Sequence, residues 1–398
     1  MGPALLTPAL SLFCLALPLS IAGANIGWAL VLAVMLYRLR LGKPPAWTAA
    51  RGALETPLWA YLAVALLTAL LGVDPARSLR SINQEAHKVW LYYLLSIALA
   101  SSSSRLPLGA LAAGFALASL TGIAQALTGT LSGAPVRAHA FVHPVTFGEQ
   151  AAVGLLGAFC FLLSPSRETA SGRPRRLLWG LAALLGAGLL LSNTRGAALA
   201  AAAGALAVLW LAPHWRRWSA AALLACALAF VAMDLSHSDR SILNEALTKS
   251  SVERPQLMRL TFWSVALRMG LDHPWTGVGL NNYRTAFNRY YQGPLEGGAK
   301  DWGDAHNIYL HQFAERGLLG TAALLWLLFV FWRRSLARAR ERPGAENLWA
   351  YGTATAFLVM NLTETAFQTE LAWMLVFFVW LWAEAAHRRK ADVHDDTL

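Results

Sequence analysis

Long apolar runs recur along this chain, and the charged residues gather in the short stretches between them. A run of about 18 or more apolar residues is long enough to cross the hydrocarbon core of a bilayer as a helix. Only 14% of the 398 residues are charged, against about 25% in ordinary soluble domains, and the mean hydropathy is +0.44. The expected fold class is therefore all-α: a polytopic membrane protein of about twelve transmembrane helices. The spans are predicted near 4–22, 25–38, 57–73, 82–101, 107–127, 146–163, 177–193, 196–213, 218–235, 305–332, 347–365 and 370–387. The second run is short and the fourth opens with polar residues. No basic residue precedes Arg38, so the first run lacks the charged start of a cleaved signal peptide and reads as a retained helix.

An even number of spans puts both termini on one side. Of the 33 Lys and Arg, 19 fall on the face that carries both termini, in 38–51, 167–176, 215–218, 333–342 and 387–390 and at Arg105. Excess basic charge in short loops marks the cytoplasmic side. The net charge of +11 is thus a topology signal, and no nucleic-acid partner is expected. The predicted organisation is 1–235, helices one to nine; 236–304, one large outer loop domain; 305–387, helices ten to twelve; and 388–398, a cytoplasmic tail whose polar end is expected to be disordered. The outer segment has a helical pattern around Pro255–Gly270 and turn signals at His273-Pro274, Gly277, Gly279 and Gly297-Gly298. Long ordered loops are commonly functional. Cys14, Cys160 and Cys226 lie at irregular spacing within apolar runs, which suggests neither a disulfide framework nor a metal site.

Three outer-face stretches carry candidate chemistry. In Ser192-Asn193-Thr194-Arg195-Gly196 an arginine sits between two apolar runs almost without a loop. It either snorkels to lipid phosphates or holds a phosphate of a substrate. In the second stretch, Arg259 and Trp263 share a helix face at about 100° per residue, while Arg268 lies near the opposite face. That helix either rests on the membrane surface or presents Arg259 to a phosphate. In the third, Asp304 reads as the N-cap of the tenth span, which would put His306 in the first helical turn. There the helix dipole would lower its pKa and leave a neutral imidazole able to take a proton. Alone, an interfacial histidine is weak evidence. Weaker candidates are Arg137, His139 and His143 before the sixth span, with structural roles favoured for the two histidines, and Asn361 and Glu364 at the outer end of the eleventh. No cofactor is expected, and no HExxH, CxxC, acidic cluster or phosphate loop appears.

Beyond the reach of ATP, a synthetic reaction on the outer face must use an activated donor, and the bilayer offers lipid pyrophosphates. Arginine suits a pyrophosphate held without metal, through forked charge-assisted hydrogen bonds.

These stretches resemble the shared motifs of the O-antigen ligase and polymerase superfamily: Ser192-Asn193-Thr194-Arg195-Gly196, then Arg259-x3-Trp263 leading to Pro274-x2-Gly277-x-Gly279, then His306-Asn307-x-Tyr309-Leu310-x4-Glu315-x-Gly317-x2-Gly320. The resemblance extends to the predicted span count and the large loop before the tenth span. It implies a metal-independent, inverting glycosyl transfer on the periplasmic face of a bacterial inner membrane. The donor would be an undecaprenyl-pyrophosphate-linked O-antigen and the acceptor lipid A–core. It also implies that Arg195 and Arg259 hold the pyrophosphate and that His306 is catalytic; apart from the resemblance, Arg137, His139, His143, Arg268, Tyr309 and Glu364 are further candidate site residues. A single large outer loop favours a ligase over a polymerase that extends the carrier-bound glycan, and the chain's end soon after the last span disfavours a protein-modifying type. A non-catalytic lipid-glycan transporter is the alternative from another class; charges inside spans and repeated halves would mark it, whereas here the polar candidates collect at the outer face and no repeat is visible.

Overall fold

The computed structural model describes residues 2–42, 52–132, 136–163, 172–211, 255–295 and 299–395. The predicted ninth span at 218–235, Cys226, the first part of the outer segment at 236–254, the Gly297-Gly298 turn, the basic residues at 43–51, 167 and 215–218, and the last three residues lie outside them. Among the described residues there are thirteen helices and no strand: α1 (Gly2–Ala16), α2 (Ile21–Arg40), α3 (Glu55–Leu71), α4 (Pro75–Ala100), α5 (Leu106–Leu131), α6 (Pro144–Leu163), α7 (Gly172–Leu191), α8 (Arg195–Leu211), α9 (Pro255–Asp272), α10 (Tyr283–Tyr290), α11 (Ile308–Glu341), α12 (Ala345–Met360) and α13 (Glu370–Asp395).

Among the described residues six helices are long and apolar enough to cross a membrane: α2, α5, α6, α7, α11 and α13; α1, α3 and α8 are shorter apolar helices. The chain is a helical membrane protein, although this census does not reach twelve spans. α13 is the central pillar, because its Trp373–Ala383 run is buried on every side, as expected of a helix that is apolar all round. α2, α5 and α7 turn leucines outward, among them Leu36, Leu120 and Leu177, as expected of lipid-facing helices.

Several boundaries depart from expectation for local reasons. The second span is a full 20-residue helix, started by Ser20, whose Oγ accepts from the Gly23 amide. α4 begins seven residues before the predicted 82, with Asp74 as its cap and Pro75 in its first turn. Its polar opening turns are used against other elements: the Ser78 hydroxyl donates to the Leu280 carbonyl at 2.8 Å, and Glu85, paired within the helix to Lys88 at 2.9 Å, pairs with Arg316 of α11 at 2.6 Å. The predicted disordered tail is instead helical as far as Asp395.

The outer segment has its own small core, built by Met258, Phe262, Val265 and Met269 of α9 with Val278, Tyr283, Phe287 and Ala305. It is pinned where α11 breaks. Gly317 has φ 59° inside α11. Around that break the 274–279 loop docks as a surrogate partner: the amides of Val278 and Gly279 donate to the carbonyls of Ala314 and Glu315, and Leu318 donates to Pro274. The Glu315 carboxylate completes the joint by accepting from the amides of Asn281 and Tyr283 at 2.9 and 3.0 Å.

Candidate active site

Three sequence-distant segments meet at one turn, Asn361–Glu364, between α12 and α13. The first is the Ser192–Gly196 link between α7 and α8. Asn193 adopts a left-handed φ of 49°, which asparagine tolerates. Arg137 braces the link, with Nε donating to the Ser192 carbonyl at 2.7 Å and Nη2 to Thr194 Oγ1 at 3.2 Å. Gly196 lies against Thr363 so closely that any side chain would strike the threonine. Arg195 is thereby held, half-buried, at the N-terminus of α8, where the helix dipole and its own charge both favour an anion.

The second segment is α9. Arg259 Nη1 donates to the Thr363 carbonyl at 3.1 Å, and Nη2 pairs with Glu364 Oε1 at 2.8 Å. Both arginine-bearing segments therefore touch Thr363. The Arg259 side chain remains 36% exposed, and a guanidinium has five N–H donors, so these two contacts use only part of its capacity. Arg268 is exposed on the far stretch of the same helix, its nearest partner the Tyr290 carbonyl at 3.5 Å.

The third segment precedes α11, and here the sequence reading is corrected. Asn307, not Asp304, caps the helix, its Oδ1 accepting from the amides of Tyr309 and Leu310. His306 lies outside the first turn at φ 48°, an unusual conformation for a non-glycine residue, held by its amide donating to Asp304 Oδ1 at 2.7 Å. Such strained backbones cluster at functional sites. The ring bridges two groups: Nδ1 lies 3.2 Å from Glu364 Oε2, and the Trp302 indole N–H donates to Nε2 at 3.2 Å. Burial alone would lower the His306 pKa. The hydrogen bond to Glu364 and the charges of Asp304 and Glu364 outweigh it, so the pKa is raised. The expected lowering by the helix dipole fails because the ring faces two carboxylates instead of lying in the first turn.

Glu364, which sequence reasoning offered only as a weak candidate, is thus the bridge between Arg259 and His306. Trp302 was missed, since a tryptophan four residues before a histidine carries no signal until the loop folds back. His143 stands near this cluster. Burial, then the Arg137 charge, lowers its pKa, while Glu364 acts in the opposite direction. His139 is half-buried on the same loop. Tyr309 donates to the Leu358 carbonyl at 2.9 Å, which ties α11 to α12. Among the described residues no group of three or more His, Cys, Asp or Glu is arranged to hold a metal ion.

A helical membrane protein with two arginines, a histidine and a carboxylate gathered at one turn is the class that this fold and site define. Residues 180–325 match the family model described as O-antigen ligase. The matched stretch, which carries Arg195, Arg259 and His306, is similar to the O-antigen ligase family. A comparison with curated proteins finds no match.

Proposed function

We propose that the chain is an O-antigen ligase, which transfers a glycan from undecaprenyl pyrophosphate to lipid A–core on the periplasmic face of the inner membrane. The observation that carries this reading is the convergence on the 361–364 turn: Gly196 and Arg259 both contact Thr363, while Arg259 and His306 both contact Glu364.

In this mechanism Arg195 and Arg259 hold the pyrophosphate and neutralise the charge that grows on it as the anomeric C–O bond breaks. His306 takes the proton of the acceptor hydroxyl, whose oxygen attacks the anomeric carbon from the opposite side. The configuration inverts, and undecaprenyl pyrophosphate leaves. Glu364 keeps the proton of the neutral ring on Nδ1, so that Nε2 is the basic atom, and it stabilises the imidazolium that follows, as an orienting carboxylate does in other base-assisted transfers. A pyrophosphate is already a good leaving group, so one base suffices.

Reconstitution of the purified protein with a lipid-pyrophosphate glycan and lipid A–core tests the proposal. A ladder on lipid A–core is the expected product. Growth of the carrier-bound chain would mean a polymerase, and no product would favour a transporter.

A further inference from the structure

Next to His306 a cavity of about 360 Å³ opens between Arg284, Asp301, Trp302 and Asp304. Its size lies within the range of about 300–1,000 Å³ typical of small-molecule sites. Its lining combines an aromatic plane with charged edges. Trp302 is stacked on Phe262, with centroids 4.6 Å apart and planes 14° from parallel, which fixes the indole orientation. Arg284 and Asp301 face each other at 3.6 Å and are 59% and 43% exposed, so both can exchange that contact for a ligand. A sugar ring matches this pattern, with an apolar C–H face for an aromatic plane and hydroxyls at its rim for carboxylates and a guanidinium.

One contact gives the cavity a further role. With Glu364 on Nδ1, the neutral His306 ring has a single lone pair, on Nε2, and the Trp302 indole N–H occupies it at 3.2 Å. A base in that state cannot accept another proton. The indole must give way before any hydroxyl is activated.

Resting on the glycosyl-transfer reading above, we propose that this cavity is the acceptor-sugar subsite and that Trp302 withholds the base until a sugar occupies it. The incoming sugar stacks on the indole, and its hydroxyl replaces the indole N–H at Nε2. That hydroxyl proton then moves to Nε2 as its oxygen attacks. In an empty site, water meets a capped base, so the donor is spared hydrolysis, in which a water proton would pass to Nε2, the anomeric C–O bond would break, and free glycan and undecaprenyl pyrophosphate would form.

The test uses the full-length protein in detergent with two readouts. Saturation-transfer NMR with deacylated core oligosaccharide reports sugar binding without turnover. Release of free glycan from the lipid-pyrophosphate donor, with no acceptor present, reports uncapped base. Trp302→Phe keeps an aromatic ring and loses the N–H, so it should retain sugar binding and raise donor hydrolysis several-fold over wild type. Trp302→Ala should lose the NMR signal and raise the acceptor KM by about tenfold, the scale of an aromatic stacking contact. Asp301→Asn and Arg284→Ala, at the exposed rim, should each weaken sugar binding while donor KM stays unchanged, and they keep the test open should Trp302→Ala not fold. Sugar binding that is unchanged in Trp302→Ala and in both rim variants would overturn the subsite. Hydrolysis by Trp302→Phe at the wild-type rate would overturn the cap. Undiminished turnover by His306→Ala would overturn the base assignment and the cap with it, whereas the sugar-binding arm stands or falls on the NMR signal alone.

Discussion

His306 reaches its place through three partners, two on its own loop and one on a distant turn: Asp304 on its amide, Trp302 on Nε2 and Glu364 on Nδ1. Removing the ring should abolish base catalysis while leaving the arginines to hold the donor. His306→Ala is therefore expected to lose about 10²–10⁴-fold in turnover with donor binding retained; loss of both together would assign the residue to substrate holding. The pH dependence follows from the direction of its pKa. The neutral ring is the active form, so activity rises with pH through a pKa held above the ordinary histidine value. Glu364→Gln removes the hydrogen-bonded carboxylate, lowers that pKa and should move the acidic limb of kcat/KM to lower pH. An unmoved limb would mean that another group titrates. The two arginines of α9 give a sharper contrast. Arg259 lies on Glu364 and Thr363, whereas Arg268 is exposed near Tyr290. Arg259→Ala should cost far more activity than Arg268→Ala, and Arg259→Lys should rescue little, because an ammonium cannot reproduce a planar fork; equal losses at 259 and 268 would refute the assignment. Both arginines and the histidine were legible because charge beside an apolar run is conspicuous. Trp302 and the bridging role of Glu364 were not, because they depend on how a turn 58 residues away in sequence, counted from His306, folds against the loop.

At the scale of elements, the shared motif divides into chemistry and joinery. Glu315, Gly277, Gly279 and Gly317 do not gather at the 361–364 turn; they lock the outer loop into the break of α11. Gly277 has φ 64°, and a Cβ there would strike the backbone of Glu315 and Arg316. Backbone cannot step aside as a side-chain tip can. Gly277→Ala is therefore expected to destabilise the loop-to-helix joint by at least about 1–3 kcal/mol, seen as a lower Tm in detergent together with loss of turnover. A variant with wild-type Tm would show that the loop is not anchored there. Helix positions were readable from hydropathy, yet the beginnings of α4 and α11 were not. In α4 the first turns are polar because they pack on the outer loop, as Ser78 does on Leu280. In α11 the apparent cap, Asp304, serves the amide of His306 instead.

At the scale of the whole molecule, the site lies at one end of the bundle, since the α7–α8, α12–α13 and pre-α11 connections all lie there, while the basic α11–α12 link lies at the other end of α11 and α12. Basic residues concentrate in short loops on the cytoplasmic side, so the site end should face the periplasm. Cysteine labelling decides this. On a background without native cysteines, a membrane-impermeant maleimide added to intact spheroplasts should modify Gln292→Cys, exposed in the outer segment, and not Glu341→Cys at the exposed end of α11. The reverse pattern would put the site beside cytoplasmic nucleotides, where no pre-activated lipid donor would be needed. The chemistry would then have to be argued anew, for the case for a pyrophosphate donor held by Arg195 and Arg259 begins with a compartment that has no ATP.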